Sequence, residues 1–390
     1  MNKSKHYLLF CPGPVNVASN ILQAMNQSIG HREMEFSSLL MGINDKLLQI
    51  YEVRDKQKYF PIIITGSGTA ANETVLSSIV GKKHILIITN GEFGERLVNI
   101  SRLHNRHTHK ISFAWGEEIS LKKVEEYLKK YSIDIIAVVH HETSTGMLNP
   151  IAKIGALAKK YKAQFFVDTV SSAVAEKVDL EKWNITFCST SSGKAVSSLP
   201  GLGIIIAERK ALDQLQPQSS RVMYLNMYNL YRYSSVQNQT PNTPALHLFY
   251  AFDQALTNIL TVGLEKWRQT LHERVFFLRK EMEKIGLHFL IKEELMSSVL
   301  TTVVLPEHTS AEVLKQRLRE KGIIIYSGKG PLSGKVFQVG NIGELTKQDL
   351  LYFIRVLPQA LSLEMHQSHR FPSFNLKRVL LPQTVHFFKH

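Results

Sequence analysis

The chain has 390 residues, which is too long for one ordinary domain and suits a large domain with a smaller one. Hydrophobic residues make up 44% and charged residues 21%, as in globular proteins, and no apolar run reaches the roughly 20 residues that cross a bilayer. The net charge of +14 favours anionic partners: nucleic acid, a membrane surface, or small phosphorylated and carboxylated molecules. The basic residues are scattered, however, and no nucleic-acid motif accompanies them. We therefore expect neither nucleic-acid nor membrane binding.

The cysteines and the first residues indicate the cellular compartment. Cys11 and Cys188 are the two cysteines, so the sequence implies no disulfide framework and favours a reducing environment. The apolar stretch near the start ends at Pro12 and is too short for a secretory signal. We expect a cytoplasmic protein.

Short apolar runs alternate with amphipathic segments from residue 61 onward. Continuous β-branched runs are typical of strands buried on both faces, and strand–helix alternation indicates an α/β fold with a mostly parallel sheet wrapped by helices. The predicted strands cover residues 61–65, 84–89, 134–141, 164–168, 185–190 and 201–208. The predicted helices between them cover residues 70–80, 95–105 and 152–162.

The last part of the chain has an α+β pattern. Residues 216–243 are predicted to form a loop and residues 244–284 one long helix. The segments predicted after them are strands at 299–306, 323–328 and 336–340, and helices at 310–322 and 346–361. The domains predicted from this pattern are an N-terminal segment (1–16), a large domain (17–260), a small C-terminal domain (261–362) and a basic tail (363–390).

A glycine-rich loop, residues 65–74, joins a predicted strand to a helix. Its glycines let the backbone approach a ligand, and the free amides of a helix start favour a phosphate, with Ser67, Gly68 and Thr69 as candidate ligands. The loop also fits a dinucleotide fingerprint, but the next strand lacks the acidic residue that would bind a ribose. A single phosphate fits better, and a simple tight turn is the alternative.

Three further residues follow predicted strands. Asp168 ends its strand at the edge where open α/β sheets bind ligands, although a helix N-cap would also explain it. Lys194 lies in a loop of small residues, where a buried lysine can react with a carbonyl; a surface lysine is the alternative. Phe93 can cover a flat ligand or simply pack in the core.

In combination these residues indicate pyridoxal phosphate. This cofactor needs a phosphate cradle, a lysine for its aldehyde, an acid facing its ring nitrogen and an aromatic ring to stack on. The glycine-rich loop, Phe93, Asp168 and Lys194 provide these groups in that order along the chain.

On the basis of these residues and the motifs around them, the chain resembles the class V aminotransferases of fold type I over nearly its whole length. Within that class it is most similar to the 2-aminoethylphosphonate–pyruvate transaminases, with alanine–glyoxylate and serine–pyruvate transaminases as relatives. The matching segments are CPGPV (11–15), GHREMEF (30–36), GSGTAANE (66–73), NGEFGER (90–96), HHETSTGMLNP (140–150), FFVDTVSS (165–172), SSGKA (191–195), LPGLG (199–203), TPNTP (240–244), IYSGK (325–329) and VFQVGNIGE (336–344).

The resemblance implies a role for each matching residue. Lys194 would bind the cofactor covalently, Asp168 would pair with its ring nitrogen, and Phe93 would stack on its ring. The remaining cofactor contacts implied are Ser67, Gly68, Thr69 and Ser191, Thr143 near the phenolic oxygen, and Thr243 from a second subunit. Because Thr243 would reach the cofactor from a second subunit, the resemblance implies a homodimer with shared active sites.

The chain departs from the family pattern at two positions. Gly193 stands before the lysine, where relatives usually carry a polar amide, so one cofactor contact is lost. Gln338 stands where the family usually has an arginine that clamps the substrate carboxylate, and it keeps hydrogen bonding without the charge. Arg32 and Lys329 are candidates to bind the substrate together with Gln338.

The expected activity is transfer of an amino group from a small amine such as 2-aminoethylphosphonate to a keto acid such as pyruvate. The alternatives are an alanine- or serine–glyoxylate-type transaminase, another reaction of the same cofactor such as a lyase, and a non-catalytic homologue. His140 and His141 precede Glu142 but lack the H-E-x-x-H spacing of a zinc site, so we expect no metal.

Overall fold

A computed structural model describes residues 7–79, 83–307 and 309–361. The predicted tail, 363–390, lies outside the described residues, as do the first six residues of the predicted N-terminal segment. Among the described residues, no helix combines the length and the apolar character that a bilayer crossing needs.

The described residues form strands and helices that alternate along much of the chain. The strands are β1 (Leu8–Leu9), β2 (Tyr59–Thr65), β3 (Ile85–Thr89), β4 (Thr108–Ser112), β5 (Ile135–Val139), β6 (His141–Glu142), β7 (Met147–Leu148), β8 (Gln164–Asp168), β9 (Phe187–Ser191), β10 (Leu202–Glu208), β11 (Leu300–Val304), β12 (Ile323–Ile324), β13 (Tyr326–Ser327) and β14 (Val336–Gly340). The helices are α1 (Ser19–Gln23), α2 (Met34–Ile50), α3 (Gly68–Ile79), α4 (Glu92–His104), α5 (Leu121–Lys130), α6 (Ile151–Lys160), α7 (Arg209–Leu212), α8 (Met227–Gln237), α9 (Leu246–Val262), α10 (Leu264–Lys284), α11 (Ala311–Glu320) and α12 (Lys347–Leu361).

A seven-stranded sheet forms the centre of the molecule, in the order β2-β10-β9-β8-β5-β3-β4. The pairs from β9 to β4 are all parallel, whereas β10 runs antiparallel to both β2 and β9. Every residue of β3 and β5 is buried, as expected for strands that helices cover on both faces. The prediction of a mostly parallel α/β sheet is confirmed.

Apolar side chains pack on both faces of this sheet. One cluster joins sheet residues such as Ile136 and Val167 to α2 and α9, and a second joins Ile87 and Phe166 to α3, α4 and α8. Burying such side chains stabilises the fold by roughly 1.5–3 kcal/mol for each one that is fully enclosed. The carboxyl ends of the parallel strands are thereby held in fixed positions.

Three predictions of secondary structure were wrong in part. Residues 216–243 are not all loop, because Met227–Gln237 form α8, which begins with Asn226 accepting a hydrogen bond from the amide of Asn229. The predicted helix 244–284 is two helices, separated at Gly263, whose positive φ of 89° ends α9. The predicted strand 323–328 is broken into the short β12 and β13.

The C-terminal part has its own sheet and core. Strands β11, β14 and β13 form an antiparallel sheet, and β1 pairs with β12. Phe10 stacks on Phe353 at 4.4 Å within a core shared by α10, α11 and α12, so the N-terminal segment packs against this region. The division into domains at residues 17, 261 and 363 stays a prediction.

Candidate active site

The carboxyl ends of neighbouring parallel strands bring the predicted site residues to one edge of the sheet. Asp168 is the last residue of β8 and Ser191 the last of β9, and these strands are adjacent. Lys194 follows β9, Phe93 lies in the first turn of α4 after β3, and Thr143 follows β6. Ligands bind at this edge in open α/β sheets.

Lys194 is partly buried at this edge and contacts two of its neighbours. Its Nζ donates a hydrogen bond to Ser171 Oγ at 2.9 Å and lies 5.2 Å from the centroid of the Phe93 ring. Burial lowers the pKa of Lys194; the Asp168 carboxylate opposes this effect and the Arg96 guanidinium adds to it. A lowered pKa increases the fraction of neutral amine, which is the nucleophilic form.

Asp168 is held by hydrogen bonds to both of its carboxylate oxygens. Asn72 Nδ2 donates to Oδ2 at 2.7 Å and the amide of Val170 donates to Oδ1 at 2.8 Å. Ser189 Oγ in turn donates to Asn72 Oδ1 at 2.5 Å, which fixes the orientation of the Asn72 amide. Burial raises the pKa of Asp168, and these hydrogen bonds oppose the rise by stabilising the carboxylate.

The glycine-rich loop leads directly into α3, whose first residue is Gly68. A Cβ at Gly68 would lie 2.6 Å from Val170 Cγ2, so this close approach requires glycine. Arg96 Nη1 donates to Thr69 Oγ1 at 3.4 Å, which adds a cation to the hydroxyls of Ser67 and Thr69. Hydroxyls, helix amides and a guanidinium are suited to bind a phosphate.

The start of α4, which carries Phe93, is capped by a carboxylate from another segment. Glu142 accepts hydrogen bonds from the amides of Phe93 at 3.2 Å and Gly94 at 3.0 Å. Ser144 Oγ donates to Glu142 Oε1 at 2.5 Å and accepts from the amide of Glu92 at 3.0 Å. Because free amides at a helix start need acceptors, Glu142 and Ser144 hold the helix that carries Phe93.

Arg96 connects the aromatic ring to the glycine-rich loop. Its guanidinium lies 4.6 Å from the Phe93 ring centroid, and Nη2 donates to Glu92 Oε1 at 2.8 Å. Together with the contact to Thr69, these interactions fix Arg96 between the ring and the loop. Arg96 and Phe93 lie three residues apart, as expected for neighbours on one helix face.

Sequence reasoning missed Asn72, Ser171, Glu142 and Arg96 as site residues, although each lies in a segment that it used. Asn72 is four positions after Gly68 and therefore on the same side of α3, a signal that could have indicated its position. Glu142 carried no such signal, because its partners lie 49 and 48 residues away.

Gly193 has a local explanation in the packing around the lysine loop. A Cβ at this position would lie 2.6 Å from the backbone Cα of Pro200. A larger residue would therefore require the loop before β10 to move. The polar side chain expected from the family pattern does not fit beside Pro200.

The three candidate substrate ligands lie in different surroundings. Arg32 is exposed, and its guanidinium donates to the carbonyls of Thr240 at 2.9 Å and Pro241 at 3.4 Å, on the segment that leads to the exposed Thr243. Lys329 is 62% exposed, with Nζ 3.9 Å from Glu92 Oε2. Gln338 is buried. The assignments of these residues and of Thr243 stay predictions.

His140 and His141 make stability depend on pH. Burial lowers the pKa of both side chains to about 3, whereas an unfolded histidine titrates near 6.5. The unfolded state therefore binds more protons below pH 6.5, so stability is complete above that pH and is lost as the pH falls towards 3. We expect His141→Gln to reduce the slope of the unfolding free energy by up to about 1.4 kcal/mol per pH unit between pH 6 and 4.

Urea unfolding of the wild type and His141→Gln at pH 7, 6, 5 and 4 measures this slope. Identical slopes in the two proteins would contradict the neutral, buried state of His141. His288→Gln, at an exposed position outside the site, is the matched control for replacing a histidine by glutamine. No group of three or more His, Cys, Asp or Glu side chains in the described part of the chain could hold a metal ion.

Comparison with known proteins agrees with this fold. Residues 16–341 match the family described as aminotransferase class-V. An uncharacterized aminotransferase of Methanocaldococcus jannaschii is 34% identical over 360 residues, covering 91% of this chain and 92% of that protein. A 2-aminoethylphosphonate–pyruvate transaminase of Bacillus cytotoxicus is 33% identical over 356 residues, covering 89% and 96%. The crystal structure of an alanine–glyoxylate aminotransferase from Nostoc sp. superposes with a TM-score of 0.86 at 31% identity, covering 92% and 96%.

The chain belongs to the class V aminotransferase family and is an aminotransferase. The resemblance inferred from the sequence motifs is confirmed, and so is the fold type I assignment.

Proposed function

We propose that this aminotransferase uses pyridoxal phosphate to move an amino group from a small anionic amine, of the 2-aminoethylphosphonate type, to a keto acid such as pyruvate. The observation that carries the proposal is a partly buried Lys194 amine, with a lowered pKa, near a buried Asp168 carboxylate at the binding edge of the sheet. The transaminase name of the Bacillus cytotoxicus relative supports the choice of donor.

The residues present fit pyridoxal phosphate. The cradle at Gly68, the hydroxyls of Ser67 and Thr69 and the Arg96 guanidinium suit its phosphate, and the Phe93 ring suits its flat face. Asp168 would face the ring nitrogen and Lys194 the aldehyde. When bound, this cofactor supplies an electron sink for the carbon that loses a proton.

The chain's own groups would perform proton transfer and orientation. Lys194 Nζ, with its lowered pKa, can accept the proton of the substrate carbon and return it to a neighbouring atom. Ser171 Oγ, 2.9 Å away, would orient the amine between these positions. Asp168, held by Asn72 and the Val170 amide, would keep its negative charge directed at one point of the site.

A second candidate is an alanine- or serine–glyoxylate-type transaminase, and the structural likeness to the Nostoc alanine–glyoxylate aminotransferase favours it. A lyase reaction of the same cofactor is a third, because Gln338 lacks the charge that would bind a keto-acid carboxylate. We also propose a homodimer with shared sites, in which the exposed Thr243 reaches the neighbouring subunit's cofactor.

Half-reactions of the purified protein with single amines test the proposal. Mixing it with 2-aminoethylphosphonate, alanine or serine should convert the cofactor's absorbance to that of the amine form, most rapidly with the first. Pyruvate should then restore the original spectrum. Faster conversion by alanine, with the original spectrum then restored by glyoxylate, would favour the second candidate. Product formation without any keto acid would favour a lyase.

Lys329 gives a specific prediction for substrate binding. Its ammonium is near Glu92 and, being 62% exposed, is partly screened by solvent. We expect Lys329→Gln to raise the KM for 2-aminoethylphosphonate by roughly 3- to 10-fold and to change kcat less than twofold. This KM effect is the contribution of one charge-assisted hydrogen bond, reduced because solvent screens the exposed charge. Steady-state kinetics measures both constants. Lys335→Gln is the matched control, and an unchanged KM for Lys329→Gln would remove Lys329 from the substrate site.

A further inference from the structure

Gln338 lies on β14, in the centre of the C-terminal sheet, and its side chain crosses to the turn at residues 142–146. Its Nε2 donates to the carbonyl of Thr143 at 2.5 Å and lies 3.4 Å from Thr302 Oγ1 on the neighbouring strand. Gln338 is 6% exposed and Thr143 is 3% exposed, so the bond between them is shielded from water.

These contacts use both N–H donors of the Gln338 side-chain amide. A side-chain amide has two N–H hydrogens, and here they meet two acceptors, the Thr143 carbonyl and the Thr302 hydroxyl. Binding a substrate carboxylate through Nε2 would displace one of these two buried acceptors, the Thr143 carbonyl or the Thr302 hydroxyl. A buried carbonyl that loses its hydrogen bond is costly, so the substrate would have to compete with the protein.

The turn that Gln338 holds also positions Phe93. Glu142 and Ser144, the two neighbours of Thr143, cap the start of α4 through the amides of Phe93 and Glu92. Two sets of hydrogen bonds, joined by the backbone of the turn, therefore connect β14 to the helix that carries the aromatic ring.

We propose that Gln338 is a positioning residue that fastens the C-terminal sheet to the 142–146 turn, and that it does not bind the substrate carboxylate. The charge for that carboxylate must then come from a cation elsewhere, such as Lys329. Two points rest on the proposed function: that another cation binds the substrate carboxylate, and that Thr143 lies beside the cofactor.

The test uses Gln338→Leu, which removes the donor at similar volume, with Gln316→Leu as matched control. Gln316 is exposed on α11 and pairs with Glu320 at 2.9 Å, so the same chemical change there should leave every measurement unchanged. Apoprotein is titrated with pyridoxal phosphate to obtain its dissociation constant, and the circular dichroism of the bound cofactor reports its orientation. The kcat and the KM for pyruvate are then measured on the holoenzyme.

For Gln338→Leu we expect a dissociation constant for pyridoxal phosphate raised roughly 2- to 10-fold, the worth of one hydrogen bond. The cofactor's circular dichroism should weaken and kcat should fall, while the KM for pyruvate stays within twofold. A KM raised tenfold with unchanged cofactor affinity would overturn the proposal, since Gln338 would then be a substrate ligand. No change in any of these measurements would overturn it as well.

Gln338→Asn is a second variant should the leucine variant fail to fold. It keeps a buried amide but ends one carbon short of the Thr143 carbonyl, and the same changes are expected. If the wild-type protein shows no transamination, the proposed function fails, but cofactor affinity and circular dichroism still decide the role of Gln338.

Discussion

Replacing Lys194 by alanine should lower the transamination rate by at least about 10²- to 10⁴-fold, the usual contribution of a positioned proton-transfer group. The reason is that Lys194 Nζ is partly buried, has a lowered pKa and donates a hydrogen bond to Ser171 Oγ at 2.9 Å. The variant should also lose the covalent cofactor adduct. Borohydride reduction and peptide mass mapping should add the mass of the cofactor to the peptide that contains residue 194 in the wild type and to no peptide in the variant.

Two controls show whether the effect comes from losing the neutral amine. One keeps the positive charge at residue 194, and the other replaces a lysine elsewhere. Lys194→Arg keeps the positive charge but cannot give a neutral nucleophile, so it should be as inactive as the alanine variant. Lys160→Ala removes a lysine from α6 that pairs with Glu125 and is 61% exposed, and it should keep the wild-type rate. A borohydride-trapped cofactor adduct at another lysine of the wild type would contradict the assignment of Lys194.

Replacing Asp168 by asparagine should lower kcat by roughly 10²- to 10³-fold, as when one preorganised charge is removed from an active site. The substitution keeps the size of the side chain, and its single oxygen can accept from either Asn72, now 2.7 Å from Oδ2, or the amide of Val170, now 2.8 Å from Oδ1, but not from both. The negative charge that would face the cofactor's ring nitrogen is lost. Steady-state kinetics together with the absorbance of the bound cofactor measures the effect.

The fold of this variant should be preserved, because burial raises the pKa of Asp168 and a neutral amide avoids the cost of a buried charge. Thermal unfolding should therefore give a midpoint close to that of the wild type, because relief of the buried charge offsets the loss of one hydrogen bond. Asp253→Asn, which breaks a partly exposed pair with Lys46 at 2.7 Å, is the control and should not change the rate. A near-wild-type rate for Asp168→Asn would contradict the role of the carboxylate.

Much of the sheet could be predicted because its strands are continuous apolar runs. The predicted strand 164–168 agrees with β8 at both ends, and 336–340 agrees with β14. Apart from Gln164 at the start of β8, every residue of these two strands is buried. The order of the strands was not predicted. It depends on pairings between distant segments, such as β10 lying between β2 and β9, that no local pattern encodes.

The failures also have physical causes. The sequence of α8 is rich in Tyr, Asn and Ser, which have weak helix propensity, and the helix is stabilised by burying Met227, Leu230 and Tyr231 against the sheet. The break at Gly263 was missed because apolar residues continue on both sides of it.

The sequence by itself determined the family, the parallel sheet and the positions of Asp168 and Lys194 at strand ends, since burial on both faces selects apolar strands and their carboxyl ends meet at one edge. Only the tertiary structure decided the partners of these residues. Asn72 meets Asp168 across 96 residues, and Gln338 meets Thr143 across 195. A hydrogen bond depends on the distance between two atoms in the folded chain, and for such separations that distance is set by how helices and sheets pack, not by neighbours in sequence.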